Sequence, residues 1–222
     1  LFEKPIALNY LEAKKIYQFS KKNKAKSFIA LNRRQFDSTK NLLKILKKYK
    51  EKRIVIVNDQ EDQFKAKKNG NPKKITDNWM YANSIHIIDY FKLLCRGKIK
   101  KITLINKWKK YEISFFSAKI EFTSGDIGFY NCIWNSPSFW SVNVNIKKYN
   151  FELKPLEKLV TLDPFFNKKV ISNKNNFEKK FKPGIYSQAL EAIKAVKCQK
   201  HNLASLKDNL ETVHLISKLY NR

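Results

Sequence analysis

Residues 112–134, with the sequence EISFFSAKIEFTSGDIGFYNCIW, alternate apolar and polar side chains on both sides of Ser124-Gly125-Asp126. The same alternation occurs in Ile102–Ile105 and, beyond Ser136-Pro137, in Trp140–Ile146. A period of two residues is typical of strands that bury one face, and short polar breaks are typical of turns. The middle third of the chain is therefore predicted to form an antiparallel meander, which usually leaves one face open to solvent or to another subunit.

Outside the meander, the apolar residues recur mostly at helical spacing. The elements predicted before it are a capped helix from Asn9-Tyr10-Leu11-Glu12 to about Asn23, a strand over Ser27–Leu31, a helix from Asp37-Ser38 through Leu46, a strand over Arg53–Val57, a polar loop over 60–78 and a helix over Trp79–Leu94. Those predicted after it are an extended segment over Tyr149–Leu162 with an edge or loop at Pro155, an exposed basic loop over 166–182, and helices over Ile185–Val196 and from Ser205 to about Tyr220. This order predicts an α+β fold, with a large, mostly antiparallel sheet and helices packed on one face.

The composition supports a folded core. The chain has 222 residues, of which 43% are hydrophobic and 14% aromatic, which excludes a disordered tail. No apolar run approaches the length of a membrane helix, and no signal peptide opens the sequence. Three widely spaced cysteines, Cys95, Cys132 and Cys198, argue against a disulfide framework or a zinc site. We expect no metal site and a cytoplasmic location.

The charge is strongly positive, at +27 from 46 Lys+Arg and 19 Asp+Glu. Such a charge first indicates nucleic acid or an anionic surface as a partner. Only five of the cations are arginines, although base readers favour arginine for its bidentate fork. An A+T-rich coding sequence by itself accounts for the abundance of Lys, Asn, Ile, Phe and Tyr, and this explanation is preferred. Nucleic acid is therefore not the expected partner.

Histidines are the first candidates for acid–base chemistry, and the chain has three. His86 lies inside an apolar helix, where most histidines are satisfied core residues, and His201 and His214 lie in polar surroundings typical of solvated side chains. No glycine-rich phosphate loop, G-x-S-x-G or H-E-x-x-H motif is present. Spacing alone does not name an activity.

Four segments in order resemble the Gfo/Idh/MocA family of NAD(P)-dependent sugar and cyclitol oxidoreductases. They are Glu3-Lys4-Pro5, similar to the family's E-K-P signature; Leu31–Asp37 (LNRRQFD), similar to its N-R-R-F-D; Asn83–Asp89 (NSIHIID), similar to its H-x-x-D helix; and Pro183–Gln188 with the two closing helices, similar to its C-terminal end. The resemblance spans nearly the whole chain.

This resemblance implies two domains. Residues 1–31 are expected to be the last strand–helix–strand of a nucleotide-binding Rossmann domain, and residues 32–222 a C-terminal α/β domain for substrate binding and oligomerisation. The chain starts at Leu1 and its only methionine is Met80. We therefore expect a truncated part of a longer enzyme, which by itself neither binds NAD or NADP nor turns over.

The implied reaction is hydride transfer between a nicotinamide cofactor and a secondary hydroxyl of a sugar, sugar nucleotide or cyclitol, in sugar metabolism such as surface polysaccharide biosynthesis. By resemblance, Lys4 contacts the reacting hydroxyl and the nicotinamide ribose, and His86 is the general acid/base. Pro5 is expected to follow a cis peptide bond. The expected cofactor-binding residues are Glu3, Lys4 and Pro5, and the expected substrate-binding residues are Asn32, Arg33 and Asn83.

Simpler interpretations stand beside these roles. Lys4 is one lysine among many, and Arg33 and Arg34 form either a surface pair or a phosphate contact for a sugar nucleotide. Trp134 and Trp140 are expected in the core or in an interface rather than as a platform for the substrate. Together with Phe139 they favour contact between the subunits of a homo-oligomer.

One position departs from the family pattern. The family usually has an aspartate four residues before the catalytic histidine, where this chain has Ala82, and Asn83 supplies a hydrogen bond there but not a charge. A non-catalytic binding or scaffold protein that uses its basic surface is therefore the alternative.

Overall fold

The computed structural model describes residues 1–110, 112–171 and 177–222, without the side chains of Phe177 and Lys179. The helices are α1 (Tyr10–Lys22), α2 (Asp37–Leu46), α3 (Gln63–Lys68), α4 (Lys73–Thr76), α5 (Ile85–Leu94), α6 (Phe177–Lys180), α7 (Ile185–Val196) and α8 (Leu206–Tyr220), with a 3-10 helix over Asn32–Gln35 and a π-helical turn over Met80–Ser84. The strands are β1 (Phe28–Ile29), β2 (Ile54–Glu61), β3 (Ile99–Leu104), β4 (Ser114–Phe122), β5 (Ile127–Trp134), β6 (Ser141–Ile146), β7 (Tyr149–Leu153), β8 (Leu159–Leu162), β9 (Lys168–Ile171) and β10 (Ala204–Ser205).

Within the described residues, eight strands form one sheet in the order β3-β4-β5-β2-β6-β7-β8-β9. All neighbouring pairs are antiparallel except β2 and β5, which run parallel from Ile54↔Ile127 to Glu61↔Trp134. The predicted α+β class and the mostly antiparallel sheet are confirmed. The predicted simple meander is wrong at one point, because β2 lies between β5 and β6 and separates them.

Helices cover one face of this sheet, and the alternation along β2 shows which one. Val55 and Val57 point into the core and are fully buried, whereas Ile56 between them is partly exposed on the other face. Arg53, just before β2, connects two of these helices: its guanidinium donates to the Leu94 carbonyl at the end of α5 (2.7 Å) and to the Leu46 carbonyl at the end of α2 (3.0 Å). One buried cation thus satisfies the last carbonyls of both helices.

The first thirty residues form a smaller unit. Phe2 pairs in parallel with Ile29, and α1 forms the crossover between them. Asn9 caps α1 by accepting from the Glu12 amide, as the sequence predicts, while the Glu12 carboxylate accepts from the amide of Leu8 (3.1 Å). The strand predicted over 27–31 is shorter than expected: only β1 forms a ladder, antiparallel to β10.

Three segments differ from the sequence prediction. Residues 60–78 are not a continuous loop, because β2 continues to Glu61 and α3 and α4 follow. The helix predicted from residue 79 begins with a π-helical turn, and α5 follows only from Ile85. Residues 166–182 contain β9 and α6, while positions 172–176 of that predicted loop lie outside the described residues. Local polarity hides these short elements, because they are stabilised by contacts with residues distant in the sequence, as where the Asp37 amide donates to the Glu178 carboxylate on α6.

In the described part of the chain, no helix is both long enough and apolar enough to cross a lipid bilayer.

Candidate active site

His86 is the second residue of α5 and is buried, with 3% of its surface exposed. Its Nδ1 atom has no hydrogen-bond partner among the described residues. Burial lowers the pKa of the His86 imidazole well below its usual value of 6.5, and the positive charges of Arg33 and Lys4 lower the pKa further. The side chain is therefore neutral at pH 7 and able to accept a proton.

The turn before His86 is π-helical, over Met80–Ser84, and such turns are frequent at functional sites. The Lys4 ammonium group donates to the Ala82 carbonyl in this turn, at 2.6 Å. Burial and the charge of Arg33 lower the pKa of Lys4. The structure thus brings Lys4 to the turn that precedes His86, although 78 positions separate residue 4 from residue 82.

On either side of Lys4, Glu3 is exposed, and the peptide bond between Lys4 and Pro5 is cis, as expected.

Asn32 and Arg33 lie on the 3-10 helix that connects the N-terminal unit to α2. The Asn32 amide donates to the Pro183 carbonyl (3.2 Å), and its Oδ1 accepts from the Arg33 guanidinium (3.0 Å). Arg33 lies over the Trp140 ring, 5.3 Å from its centroid, and the Trp140 indole donates to the Gln60 carbonyl (3.0 Å). Arg33 is thereby held toward the end of β2.

Arg34 differs from Arg33 in its role. It forms a bidentate pair with Asp89 on α5, at 2.6 and 2.7 Å, and Asp89 also accepts from Thr212 on α8 (3.0 Å). This ion pair is buried, so Arg34 is neither a surface residue nor available to a ligand. Asp89, three residues after His86 in the H-x-x-D segment, is therefore part of a structural ion pair.

Asn83 lies in the π-helical turn and contacts a residue that the sequence does not single out. Its amide donates to the Glu61 carboxyl group (2.9 Å to Oε2), and the Ser84 hydroxyl donates to Glu61 Oε1 (2.9 Å). Glu61 ends β2 and is almost fully buried. The sequence does contain one indication that Glu61 is buried. Side chains alternate between the two faces of a strand, so if Val55 and Val57 point inward and the strand continues to residue 61, residues 59 and 61 also point inward.

The sequence-predicted residues therefore fall into two groups. Lys4, Asn83 and His86 meet at the π-helical turn, whereas Asn32 and Arg33 approach from the 3-10 helix and are linked to it through Trp140 and β2. Trp134 lies in the core, as expected, and Trp140 is partly buried beneath Arg33. The arrangement offers one neutral base, His86, and two cations whose pKa values are lowered, Lys4 and Arg33.

Solved structures share this architecture. UDP-N-acetylglucosamine 3-dehydrogenase GnnA from Acidithiobacillus ferrooxidans superposes with a TM-score of 0.77 at 8% identity, over 99% of this chain and 68% of that one. The WlbA dehydrogenase from Bordetella pertussis, in complex with NADH and UDP-GlcNAcA, gives 0.71 at 12% identity, over 99% and 67%. A levoglucosan dehydrogenase, in complex with NADH and levoglucosan, gives 0.74 at 13% identity, over 99% and 69%.

These superpositions show that the chain shares its fold with solved oxidoreductases. More particularly, the fold is that of the Gfo/Idh/MocA-type dehydrogenases, as the sequence resemblance implies. No protein-family model and no curated protein matches the sequence. At such low identity the likeness defines the fold, and the activity has to be argued from the site.

Proposed function

We propose that this chain carries the substrate site of an NAD- or NADP-dependent dehydrogenase that oxidises a secondary hydroxyl of a sugar, sugar nucleotide or cyclitol. The observation that carries the proposal is the buried, neutral His86 with Lys4 bound to the preceding turn. A general base needs a pKa that leaves it unprotonated at working pH, and the burial of His86 provides this.

In this mechanism the substrate hydroxyl lies between His86 and Lys4. The Nδ1 atom of His86 is enclosed, so Nε2 accepts the hydroxyl proton, and it returns the proton in the reverse direction. The Lys4 ammonium donates one hydrogen to Ala82 and has two left for the substrate oxygen and the cofactor ribose. A nicotinamide dinucleotide, when bound, accepts the hydride, and Glu3, Lys4 and Pro5 are the residues of this chain proposed to contact it.

The charges of the site favour an anionic substrate within that class. Among the described residues, no carboxylate lies within 4 Å of the side-chain nitrogens of Lys4, Arg33 or Lys182, and all three lower the pKa of His86 or of one another through their charge. A phosphate or carboxylate group near Arg33 relieves this repulsion. Asn32, Arg33 and Asn83 are the proposed substrate-binding residues, with Asn32 acting through Arg33.

The domain assignment is also proposed. Residues 1–31 fit the last strand–helix–strand of a Rossmann domain, because Phe2 and Ile29 pair in parallel across α1, as βαβ units do. Leu1, Phe2 and Phe19 are exposed on this unit, as expected if further nucleotide-binding structure covers them. Residues 32–222 are the proposed substrate and oligomerisation domain, and three cysteines with free thiols fit a reducing cytoplasm.

The test is a hydride-transfer assay over a panel of neutral sugars, cyclitols and sugar nucleotides, with NAD and NADP. It uses the chain together with any coding sequence that precedes Leu1. We expect His86→Ala to lower kcat at least about 100-fold while cofactor binding persists. The matched control is His214→Ala, which removes an exposed histidine stacked on Tyr10.

If the wild type neither binds cofactor nor turns over, the dehydrogenase proposal is wrong. The replacement of the family aspartate by Ala82 then favours the alternative, a non-catalytic binding protein with a basic surface. A steep fall of nucleic-acid affinity with salt supports that alternative.

A further inference from the structure

Two carboxyl groups lie beneath the proposed site on the covered face of β2. Asp59 and Glu61 are two residues apart on one strand, so both side chains point to the same face. Each is about 1% exposed. The mechanism described above uses neither of them.

The hydrogen bonds of the two carboxyl groups differ, and one oxygen of Asp59 is left without a partner among the described residues. Glu61 accepts from Asn83 and Ser84, with both of its oxygens occupied. Asp59 accepts from the Tyr130 hydroxyl through Oδ2 (2.6 Å), but its Oδ1 has no partner among the described residues although it is buried. A buried acceptor without a donor is rare, because it loses its hydrogen bonds to water.

No cation compensates the pair directly. Among the residues that the structure describes, no lysine, arginine or histidine nitrogen lies within 4 Å of either carboxyl group. The titratable or charged groups that face the pair are Tyr130 and Cys132 from β5, Tyr220 from α8, Lys4 from the N-terminal segment and Arg33 from the 3-10 helix. Two adjacent buried negative charges are too unfavourable to persist in such surroundings.

We propose that Asp59 and Glu61 share one proton, and that the pair is a positioning unit for the Asn83 amide. The proton lies between Glu61 and the open Oδ1 of Asp59, which gives that oxygen its missing donor. Burial raises the pKa of both carboxyl groups, and the Asp59 charge raises that of Glu61 further, in agreement with one bound proton.

The positioning role rests on the proposed function. Because Glu61 accepts from the Asn83 Nδ2, the amide is oriented with Oδ1 away from Glu61, and no described residue donates to that oxygen. Asn83 therefore presents a hydrogen-bond acceptor at the turn where Lys4 binds, and a substrate hydroxyl is the matching donor. Without Glu61 the amide is free to rotate.

The shared proton is tested on the chain itself, with no need for activity. In Glu61→Gln, the amide oxygen at the Oε2 position accepts from Asn83, and the NH2 group at the Oε1 position donates to Asp59 and to the Ser84 hydroxyl, which can also accept. In Asp59→Asn, the new amide donates to Glu61 and accepts from Tyr130. Each variant mimics one placement of the proton. We expect the Tm of both to stay within about 3 °C of the wild type, and that of Glu61→Leu to fall by more than about 6 °C.

Carboxyl carbon NMR gives the direct measurement. At pH 7 we expect the wild-type Asp59 and Glu61 signals to lie between the protonated and the ionised positions, and the remaining carboxyl signal in either amide variant to move to the ionised position. Fully ionised signals for both residues in the wild type, or amide variants as unstable as Glu61→Leu, overturn the shared proton.

The positioning role is tested by a double-mutant cycle in the enzyme assay. We expect KM to rise about tenfold in Glu61→Leu and in Asn83→Ala, with no further rise in the double variant, and Glu61→Gln to restore the wild-type KM. Independent effects that multiply overturn the positioning role. An inactive wild type overturns the proposed function and this role with it, while the NMR result still decides the shared proton.

Discussion

Three cations surround one neutral histidine, and this residue-scale arrangement has a measurable consequence for stability. In the unfolded chain His86 gains a proton near its usual pKa of 6.5, whereas in the folded chain its pKa lies well below that value. The unfolded state therefore binds more protons below pH 6.5, and stability falls as the pH falls through this range.

We expect the free energy of unfolding of the wild type to drop by about 1 kcal/mol more than that of His86→Gln between pH 7.5 and pH 5.5. The measurement is urea unfolding at each pH. Between pH 7.5 and 8.5 the two proteins should show the same pH dependence, since His86 is neutral in both states. An equal slope in the acid range would show that His86 titrates normally.

The Arg34–Asp89 pair gives a second residue-scale prediction. Both side chains are buried, and removal of one partner leaves an uncompensated charge inside the protein. We expect Arg34→Met to lower the free energy of unfolding by about 3–5 kcal/mol, measured by urea denaturation. Lys40→Gln, which breaks a more exposed ion pair with Asp37, is the control and should lose less than about 1 kcal/mol. Similar losses for the two variants would contradict the structural role of Arg34.

At the scale of elements, Gly184 determines how closely α7 approaches the 3-10 helix. Its φ is +75°, and a Cβ atom there would lie 2.3 Å from the Asn32 carbonyl oxygen. Gly125 has a φ of +83°, but a Cβ atom at that position would have no other atom within 4 Å. Alanine would therefore strain the backbone at both positions, but only at position 184 would its Cβ atom also clash with a neighbouring residue.

We expect Gly125→Ala to destabilise the fold by about 1 kcal/mol, and Gly184→Ala by about 1–3 kcal/mol more. Thermal unfolding measures both. The clash displaces Asn32, which holds Arg33, so Gly184→Ala should also raise KM for an anionic substrate. Equal stability of the two variants would show that the 3-10 helix moves aside at no cost.

The long elements could be predicted from the sequence because their periodicity reflects a buried face. The alternation of β4 and β5 and the capping box of α8, in which Ser205 and Asp208 bond reciprocally, are local signals that the structure confirms. The position of β2 between β5 and β6 has no such signal, because strand order depends on contacts between distant segments.

Some residues of the candidate site could likewise be predicted from the sequence, and others could not. Lys4 and His86 come from resemblance to family motifs, and the structure places the Lys4 ammonium group in contact with the turn before His86. Asp59 and Glu61 were hidden because a polar run at the end of an apolar strand is also typical of a loop. Only the buried environment distinguishes an inward carboxyl group from a solvated one.

At the scale of the whole molecule, the uncovered face of the sheet is the proposed surface for a homo-oligomer. Phe115 on β4 is 51% exposed on that face, and Ile54 on β2 is also exposed. We expect light scattering at micromolar concentration to give a mass above the 26.3 kDa of one chain, and Phe115→Glu to shift it toward the monomer. Phe165→Glu, at an exposed position between β8 and β9, should have no such effect. A monomeric wild type would contradict the proposal.

The central place of β2 also bears on how the protein is made. The ribosome releases this strand early, but its two sheet neighbours, β5 and β6, are completed only at Trp134 and Ile146. During synthesis β2 therefore has exposed backbone groups on both sides while more than 70 further residues emerge. We expect the acidic end of the strand, which folding later buries, to oppose pairing between nascent copies during that interval, because like charges at an unpaired edge repel. The carboxyl groups that are unfavourable in the finished core would then protect the strand before the core exists.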